Sequence, residues 1–385
     1  MYKRNPYVMV PGPTPVARSI QDAMGRETVS FHDPRLVAEF KALIDDLTTL
    51  WRCDGIAFVV AGSGTMAMEM GIVNIASDED RVLVCSNGYF GDRYIDICSR
   101  RGFKMDTIRA KWGETVTADE IDRRLSEDRF DVLVLTHVET STGVEFPLRD
   151  LTRMMRDKHP EVLIAVDGVA SMGGVEFYMD WGVDVMLTCS QKCFGISPGL
   201  GILWAGRRAI EKRRGMPPLN ASYVDFEKWI PVMKDTVKYW GTPAVNLIWA
   251  LSESVRIIKE EGLENRFKRH RHYAKAIRGS LSAMGFAPCC ASELASPTVT
   301  VGLYPDGSGI DDAAFRGAVY DEGAHIAGCF GDFAGKGFRV GHMGNIEPNI
   351  LVSAVAAIER AAIRCGHKIE PGVGLAALQR TLLEG

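Results

Sequence analysis

The sequence predicts an α/β protein with a largely parallel sheet, followed by a smaller α+β unit, and three observations carry that prediction. Between residues 56 and 206, six short runs, "IAFVVAG", "RVLVCSN", "VLVLTHV", "VLIAVDG", "DVMLTCS" and "GILWAG", are apolar at consecutive positions. A strand with one wet face alternates, whereas a strand covered on both faces does not, so these runs belong to a sheet lying between helices. Helical patterns separate the runs, as the crossovers of a parallel sheet require. "TMAMEMGIVNIAS" follows the first run, "TADEIDRRLSE" has Thr117 as its N-cap, and "LRDLTRMMRDK" supplies a third helix. Finally, the long helical pattern "PAVNLIWALSESVRIIKEEG" stops at Gly262, and beyond it the strand-like runs "SPTVTVGLY" and "FRVGHMG" alternate with helices. The expected units are an N-terminal arm over 1–20, a large unit over 21–262 and a small C-terminal one over 263–385.

Composition narrows the partners. A chain of 385 residues, 46% hydrophobic and 24% charged, can bury a sizeable core. Its net charge of -4 exerts no overall pull on nucleic acid or anionic membrane, which leaves small molecules as the expected partners. "LENRFKRHRHYAKAIRGSLSAMG" is locally basic, but Phe267, Ala274, Ile277 and Leu281 recur at helical spacing, so the basic residues read as a solvated helix face. Nine cysteines without a C-x-x-C pair or zinc-like Cys/His spacing indicate neither a disulfide framework nor a metal site. No apolar run reaches the length of a membrane span, and the start "MYKRNPYVMVPGPTP" lacks the apolar core of a secretory leader. A reducing, cytoplasmic setting is expected.

Ligands of open α/β sheets gather at the carboxyl ends of the strands, and three motifs fall there. In "VVAGSGTMAMEM" a strand runs through Gly62, Ser63, Gly64 and Thr65 into a helix, which turns backbone N–H groups and the positive helix end toward an anion. The same residues fit G-x-G-x-x-A, a dinucleotide fingerprint. That reading needs an acid at the end of the next strand to hold a ribose, and "RVLVCSN" ends in Ser86 and Asn87. Asp167 closes the all-apolar run of "VLIAVDG", where a buried carboxylate needs a cationic partner. Lys192 follows "DVMLTCS", and desolvation there favours the neutral amine, the form that attacks a carbonyl to make a Schiff base. An anion cradle, a buried carboxylate and an amine nucleophile together suit pyridoxal 5'-phosphate, which has a phosphate, a ring nitrogen and an aldehyde to be met.

Eight ordered blocks extend this reading nearly end to end: "PGPTPV", "AGSGTMAME", "NGYFGDR", "HVETSTGV", "VDGVASMGG", "CSQKCFGISPGL", "YWGTPAVN" and "FRVGHMG". With them the chain resembles the class V aminotransferases of the fold type I pyridoxal phosphate enzymes, most closely the alanine:glyoxylate and serine:glyoxylate (serine:pyruvate) group. The resemblance implies a large domain on a mostly parallel seven-stranded sheet and a smaller C-terminal α+β domain. It makes Lys192 the Schiff-base lysine and general base, and pairs Asp167 with the pyridinium nitrogen. It places Phe90 on the cofactor ring, where the family commonly has Trp, and Thr140 near the phenolic oxygen. Ser63, Gly64 and Thr65 become the phosphate-binding turn, with Gln191 beside it; Thr65 stands where the family often has His. Tyr239 and Thr242 would reach the phosphate of a neighbouring subunit, which implies a homodimer with its sites at the interface. Arg339 would grip the substrate carboxylate through its bidentate fork.

The implied activity is a ping-pong transfer of an amino group from a small amino acid, alanine or serine, to a 2-oxo acid, glyoxylate or pyruvate. Aminoethylphosphonate:pyruvate and pyridoxamine:pyruvate aminotransferases, or a lyase on the same framework, stay open alternatives. The different-class alternative is an NAD-dependent dehydrogenase. Cysteine desulfurases typically carry His before the lysine, where this chain has Gln191. His32, His137 and His342 have no assigned role.

Overall fold

The computed structural model describes residues 5–384, so the first four residues of the expected arm lie outside the described part. Seven strands form the main sheet: β1 (Ile56–Ala61), β2 (Arg81–Ser86), β3 (Lys104–Arg109), β4 (Val132–Thr136), β5 (Leu163–Asp167), β6 (Val185–Cys189) and β7 (Leu200–Ala205), in the spatial order β1-β7-β6-β5-β4-β2-β3. β2 to β6 pair in parallel, and β7 runs antiparallel to both β6 and β1. The reversal has a local cause, because β6 returns to β7 through the loop that carries Lys192, with no crossover helix between them.

The six apolar runs are the six covered strands. β3 had no counterpart among them, since its sequence "KMDTIR" is polar and mostly accessible. An edge strand pairs on one side only, and polar, charged side chains there discourage pairing with another chain.

Helix α1 (Gly64–Val73) starts at Ser63, whose hydroxyl accepts from the Met66 N–H at 3.2 Å. It stops short of the expected Ser77, and Asn74 closes it by donating to the carbonyls of Met70 and Val224, each at 2.7 Å. α2 (Tyr89–Arg101) follows β2, and α3 (Ala118–Glu127) opens with a reciprocal capping box between Thr117 and Glu120. α4 (Leu148–Lys158) has the predicted bounds. α5 (Val245–Glu261) and α6 (Leu263–Ala283) meet at Gly262, whose φ of 75° lets one helix end and the next begin.

A second sheet is wholly antiparallel: β8 (Ala287–Pro288), β9 (Val299–Leu303), β10 (Ala327–Gly328) and β11 (Gly337–Gly341), ordered β8-β9-β11-β10. Each sheet has its own apolar core. Tyr7–Val8 pairs in parallel with Ala324–His325, and Met9 is buried in the second core, so the start of the chain is strapped to the C-terminal unit.

The basic cluster on α6 corrects one expectation. Lys268 and Arg271 are solvated, but Arg266 and His270 are buried. Arg266 is accommodated because its donors are matched: Glu261 at 2.7 Å, Asn345 at 3.0 Å, and the carbonyls of Gly173 at 2.9 Å and Cys193 at 2.7 Å. The Cys193 carbonyl lies next to Lys192, so a residue that reads as surface charge anchors the loop of the lysine. Among the described residues, no helix is long and apolar enough to cross a membrane.

Candidate active site

A cavity of about 230 Å³ opens at the carboxyl ends of the main strands. Its wall contains Ser63, Gly64, Thr65, Phe90, Thr140, Asp167, Gln191 and Lys192, eight of the residues singled out in the sequence. They arrive from five separate strand ends, so the parallel sheet is what brings them together.

Asp167 is the last residue of β5, in register with Thr136 of β4 and Leu187 of β6. Its Oδ1 accepts from the Val169 N–H at 2.8 Å. The carboxylate makes no ion pair among the described residues, although a buried carboxylate was expected to have a cationic partner. Burial is the main reason its pKa rises to about 7, and the neighbouring Glu139 charge adds to that rise, against the Val169 N–H and the Lys192 and Arg93 charges.

Lys192 lies across the cavity on the β6–β7 loop and donates to the Pro11 carbonyl. Burial, helped by the nearby Arg339 charge, drives its pKa down and favours the amine; the charges of Cys189 and Asp167 oppose the shift. The loop is held by the Thr14 hydroxyl, which donates to the Lys192 carbonyl at 2.9 Å. Gly12 covers the lysine. At its φ of +111°, which favours glycine, a Cβ would fall 2.6 Å from Cδ and Cε and 2.7 Å from Nζ of Lys192, so a side chain here would be strained and would displace the lysine.

The turn from Ser63 to Thr65 forms the start of α1 and lies in the cavity wall. Ser63 caps α1, and the first-turn N–H groups of Gly64 and Thr65 have no intrahelical acceptors; that of Gly64 lies against the Cys189 thiol. Phe90, the second residue of α2, lies in the cavity wall.

Sequence reasoning missed Glu139 and Arg93. Glu139 is buried between two walls of the site. One carboxylate oxygen accepts from the N–H groups of Phe90 at 2.8 Å and Gly91 at 3.1 Å; the other accepts from the N–H of Ser141 at 3.0 Å and its hydroxyl at 2.7 Å. The carboxylate therefore caps α2 and fixes Phe90 relative to the Thr140 segment. Arg93 lines the same cavity and donates from Nη1 to the Thr65 hydroxyl at 3.0 Å. Both residues sit inside quoted blocks, "HVETSTGV" and "NGYFGDR"; an acid in an otherwise apolar and hydroxylic run, and an arginine one helical turn after an aromatic, were the available signals.

Arg339 comes from the other sheet, on β11. Nε donates to the Gly328 carbonyl at 2.8 Å and Nη1 to the Thr140 carbonyl at 3.3 Å, while the guanidinium lies 4.1 Å from the centre of the Phe330 ring. It is outside the immediate cavity wall but joined to it through Thr140. Tyr239 and Thr242 are not brought to this cavity. Tyr239 is 60% exposed, with its hydroxyl 3.3 Å from that of Thr242 and its ring beside Phe31. None of the three histidines lines the cavity. His32 is exposed; His137 and His342 are buried, and burial pushes each down to about 3, so both are neutral. At the end of β2, Asn87 is engaged with Thr115 and the Val116 N–H, and the carboxylate at Ser86, that of Asp92 on α2, is already paired with Arg109.

A lysine amine and a carboxylate facing one cavity beside a helix-start anion cradle define an enzyme of the pyridoxal phosphate type on an α/β scaffold. The profile of class-V aminotransferases matches residues 35–311, and the chain belongs to that family. It is 32% identical to the serine–glyoxylate aminotransferase of Arabidopsis thaliana, over 96% of this chain and 94% of that protein. Identity is also 32% with the L-aspartate–glyoxylate aminotransferase of Paracoccus denitrificans, over 98% and 96% of the two chains. The fold superposes on the ureidoglycine-glyoxylate aminotransferase of Bacillus subtilis with a TM-score of 0.94, at 27% identity and covering 100% and 99% of the chains. The protein is a PLP-dependent aminotransferase with the fold type I architecture.

Proposed function

We propose that the cavity holds pyridoxal 5'-phosphate and that the protein transfers the amino group of a small amino acid, alanine or serine, to glyoxylate or pyruvate. The observation that carries this reading is the placement of the Lys192 amine and the Asp167 carboxylate, both buried, around one cavity that ends in the Ser63–Thr65 turn. The residues fit the cofactor in three respects. Gly12 adds no side chain against the lysine, the α1 start offers N–H donors to a phosphate, and among the described residues Asp167 has no ion-pair partner of the kind a pyridinium N–H would supply.

When bound, the cofactor serves as an electron sink that makes the substrate Cα–H acidic. Asp167 would hold a positive charge on the ring nitrogen, and Phe90, whose N–H is held by Glu139, would face the ring. Ser63, Gly64, Thr65 and Gln191 would hold the phosphate, and Thr140 would serve the phenolic oxygen. Lys192 would be the covalent anchor, and its amine, held toward the neutral form by burial, would accept the substrate Cα proton and return it as general acid. Arg339 binds the substrate carboxylate.

Tyr239 and Thr242, exposed and remote from their own cavity, are offered to the phosphate of a second copy, which makes the working unit a homodimer. The division into 1–20, 21–262 and 263–385 belongs to the same proposal, with α5 and α6 meeting at its main boundary. A reducing, cytoplasmic setting is supported by nine cysteines, all unpaired.

The test is hydride reduction of protein incubated with pyridoxal phosphate, followed by peptide mass mapping. A cofactor adduct on the Lys192 peptide is expected; an unmodified peptide at saturating cofactor overturns the reading. A panel of alanine, serine and aspartate against glyoxylate and pyruvate then assigns donor and acceptor.

A further inference from the structure

We infer that Arg93 is the cation that binds the cofactor's phosphate in this chain, an inference that rests on the cofactor reading above. The argument begins with charge. Of the described residues lining the cavity, only Arg93, Asp167 and Lys192 are of acidic or basic type. Asp167 and Lys192 are committed to the ring nitrogen and the aldehyde. The phosphate donors taken from the sequence, Ser63, Gly64, Thr65, Gln191, Tyr239 and Thr242, are all neutral. A phosphate monoester carries nearly two negative charges at neutral pH, and its removal from water needs more than neutral donors.

Arg93 stands where that charge would be. It lies one helical turn beyond Phe90 on α2, and Nη1 donates to the hydroxyl of Thr65, itself part of the anion turn. Its guanidinium centre is 4.8 Å from the Phe90 ring, a contact that fixes its plane while leaving donors available. No carboxylate forms an ion pair with it among the described residues, although its neighbour Asp92 is paired with Arg109. It lines the cavity wall, close enough to Asp167 for its charge to oppose the rise in that residue's pKa. A guanidinium presents a planar fork matched to phosphate oxygens, and the helix start and the arginine approach the same anion from α1 and α2.

The chemistry predicts selectivity for the phosphate and not for the ring, so the experiment compares pyridoxal phosphate with pyridoxal. Both are titrated into apo wild type, Arg93→Gln and Arg93→Lys, with binding read from the visible absorbance and folding checked by circular dichroism. We expect Arg93→Gln to weaken pyridoxal phosphate by roughly 10- to 100-fold, the size of a lost charge-assisted contact, while pyridoxal changes by less than about 3-fold. Arg93→Lys should recover part of the loss. Inorganic phosphate should strengthen pyridoxal binding in wild type and do so much less in Arg93→Gln. Equal weakening of both ligands, or unchanged pyridoxal phosphate affinity with a loss confined to dicarboxylate substrates, would overturn the assignment of Arg93 and leave the cofactor reading intact. Failure of wild type itself to bind pyridoxal phosphate overturns both.

Discussion

The two ends of the main sheet both carry clustered charge, yet only one is chemically poised. At the amino ends of the parallel strands an open groove of about 980 Å³ is lined by Glu127, Asp128, Arg129, Asp131, Glu161 and Arg208, among others. These groups are largely wet and many are mutually paired, as in Arg129 with Asp131 and Arg81 with Asp128. At the carboxyl ends a cavity about a quarter as large is lined by Arg93, Asp167, Cys189 and Lys192, and burial displaces the pKa values of the last three. Size and charge count therefore point to the wrong end. Desolvation separates them, because a buried charge without a full partner is held at a cost that a ligand relieves.

The contrast can be broken from the strongest effect downward. Lys192→Ala should abolish the hydride-fixed adduct and lower turnover by more than about 1,000-fold, since it removes anchor and general base together. Residual turnover near wild type would end the assignment. Asp167→Asn should cut kcat by roughly 100-fold, with a smaller change in cofactor affinity, because the ring nitrogen loses the charge that keeps it protonated.

The same residue predicts a pH effect on the cofactor-free protein. The pKa of Asp167 rises from 3.8 to about 7 in the folded state, so between those values the native state binds more protons than the unfolded state. Its contribution to stability is therefore present at low pH and is lost as pH rises toward 7. In cofactor-free Asp167→Asn, stability should fall less than in wild type between pH 5 and 7, by on the order of a few kcal/mol at most. Parallel melting curves for the two proteins across that window would refute the burial argument.

Arg339→Lys should raise KM for amino and oxo acids by about 10-fold with little change in cofactor binding, because lysine lacks the fork. The smallest effect is expected at the other end of the sheet. Asp128→Asn should leave kcat/KM within about 2-fold of wild type, as expected for an exposed ion pair. A large loss of activity there would remove the distinction between the two ends.

Much of the site was legible because its motifs occupy predictable places. Asp167 ends an apolar run and Lys192 follows another, so the strand pattern fixes both at carboxyl ends. The Ser63 cap and the Thr117–Glu120 box are local devices, readable from adjacent residues. β3 was not legible because its sequence is polar and mostly accessible, unlike β1 at the opposite edge, which is covered. Arg266 was misread because its partners, Gly173, Cys193 and Asn345, are distant in sequence and only the fold supplies them. Glu139 and Arg93 went unnoticed for the same reason: what makes each matter is a contact with another segment, at Phe90 or Thr65.

By itself the sequence determined the covered strands, the helix caps and the three reactive groups, since periodicity and capping act over a few residues of chain. The tertiary structure alone decided that Pro11 and Gly12, from the start of the chain, close over Lys192, and that Arg339 reaches the Thr140 wall from a different sheet. It also decided which charges are wet and which are dry. Burial is a property of everything packed around a group, and no stretch of neighbouring residues encodes it.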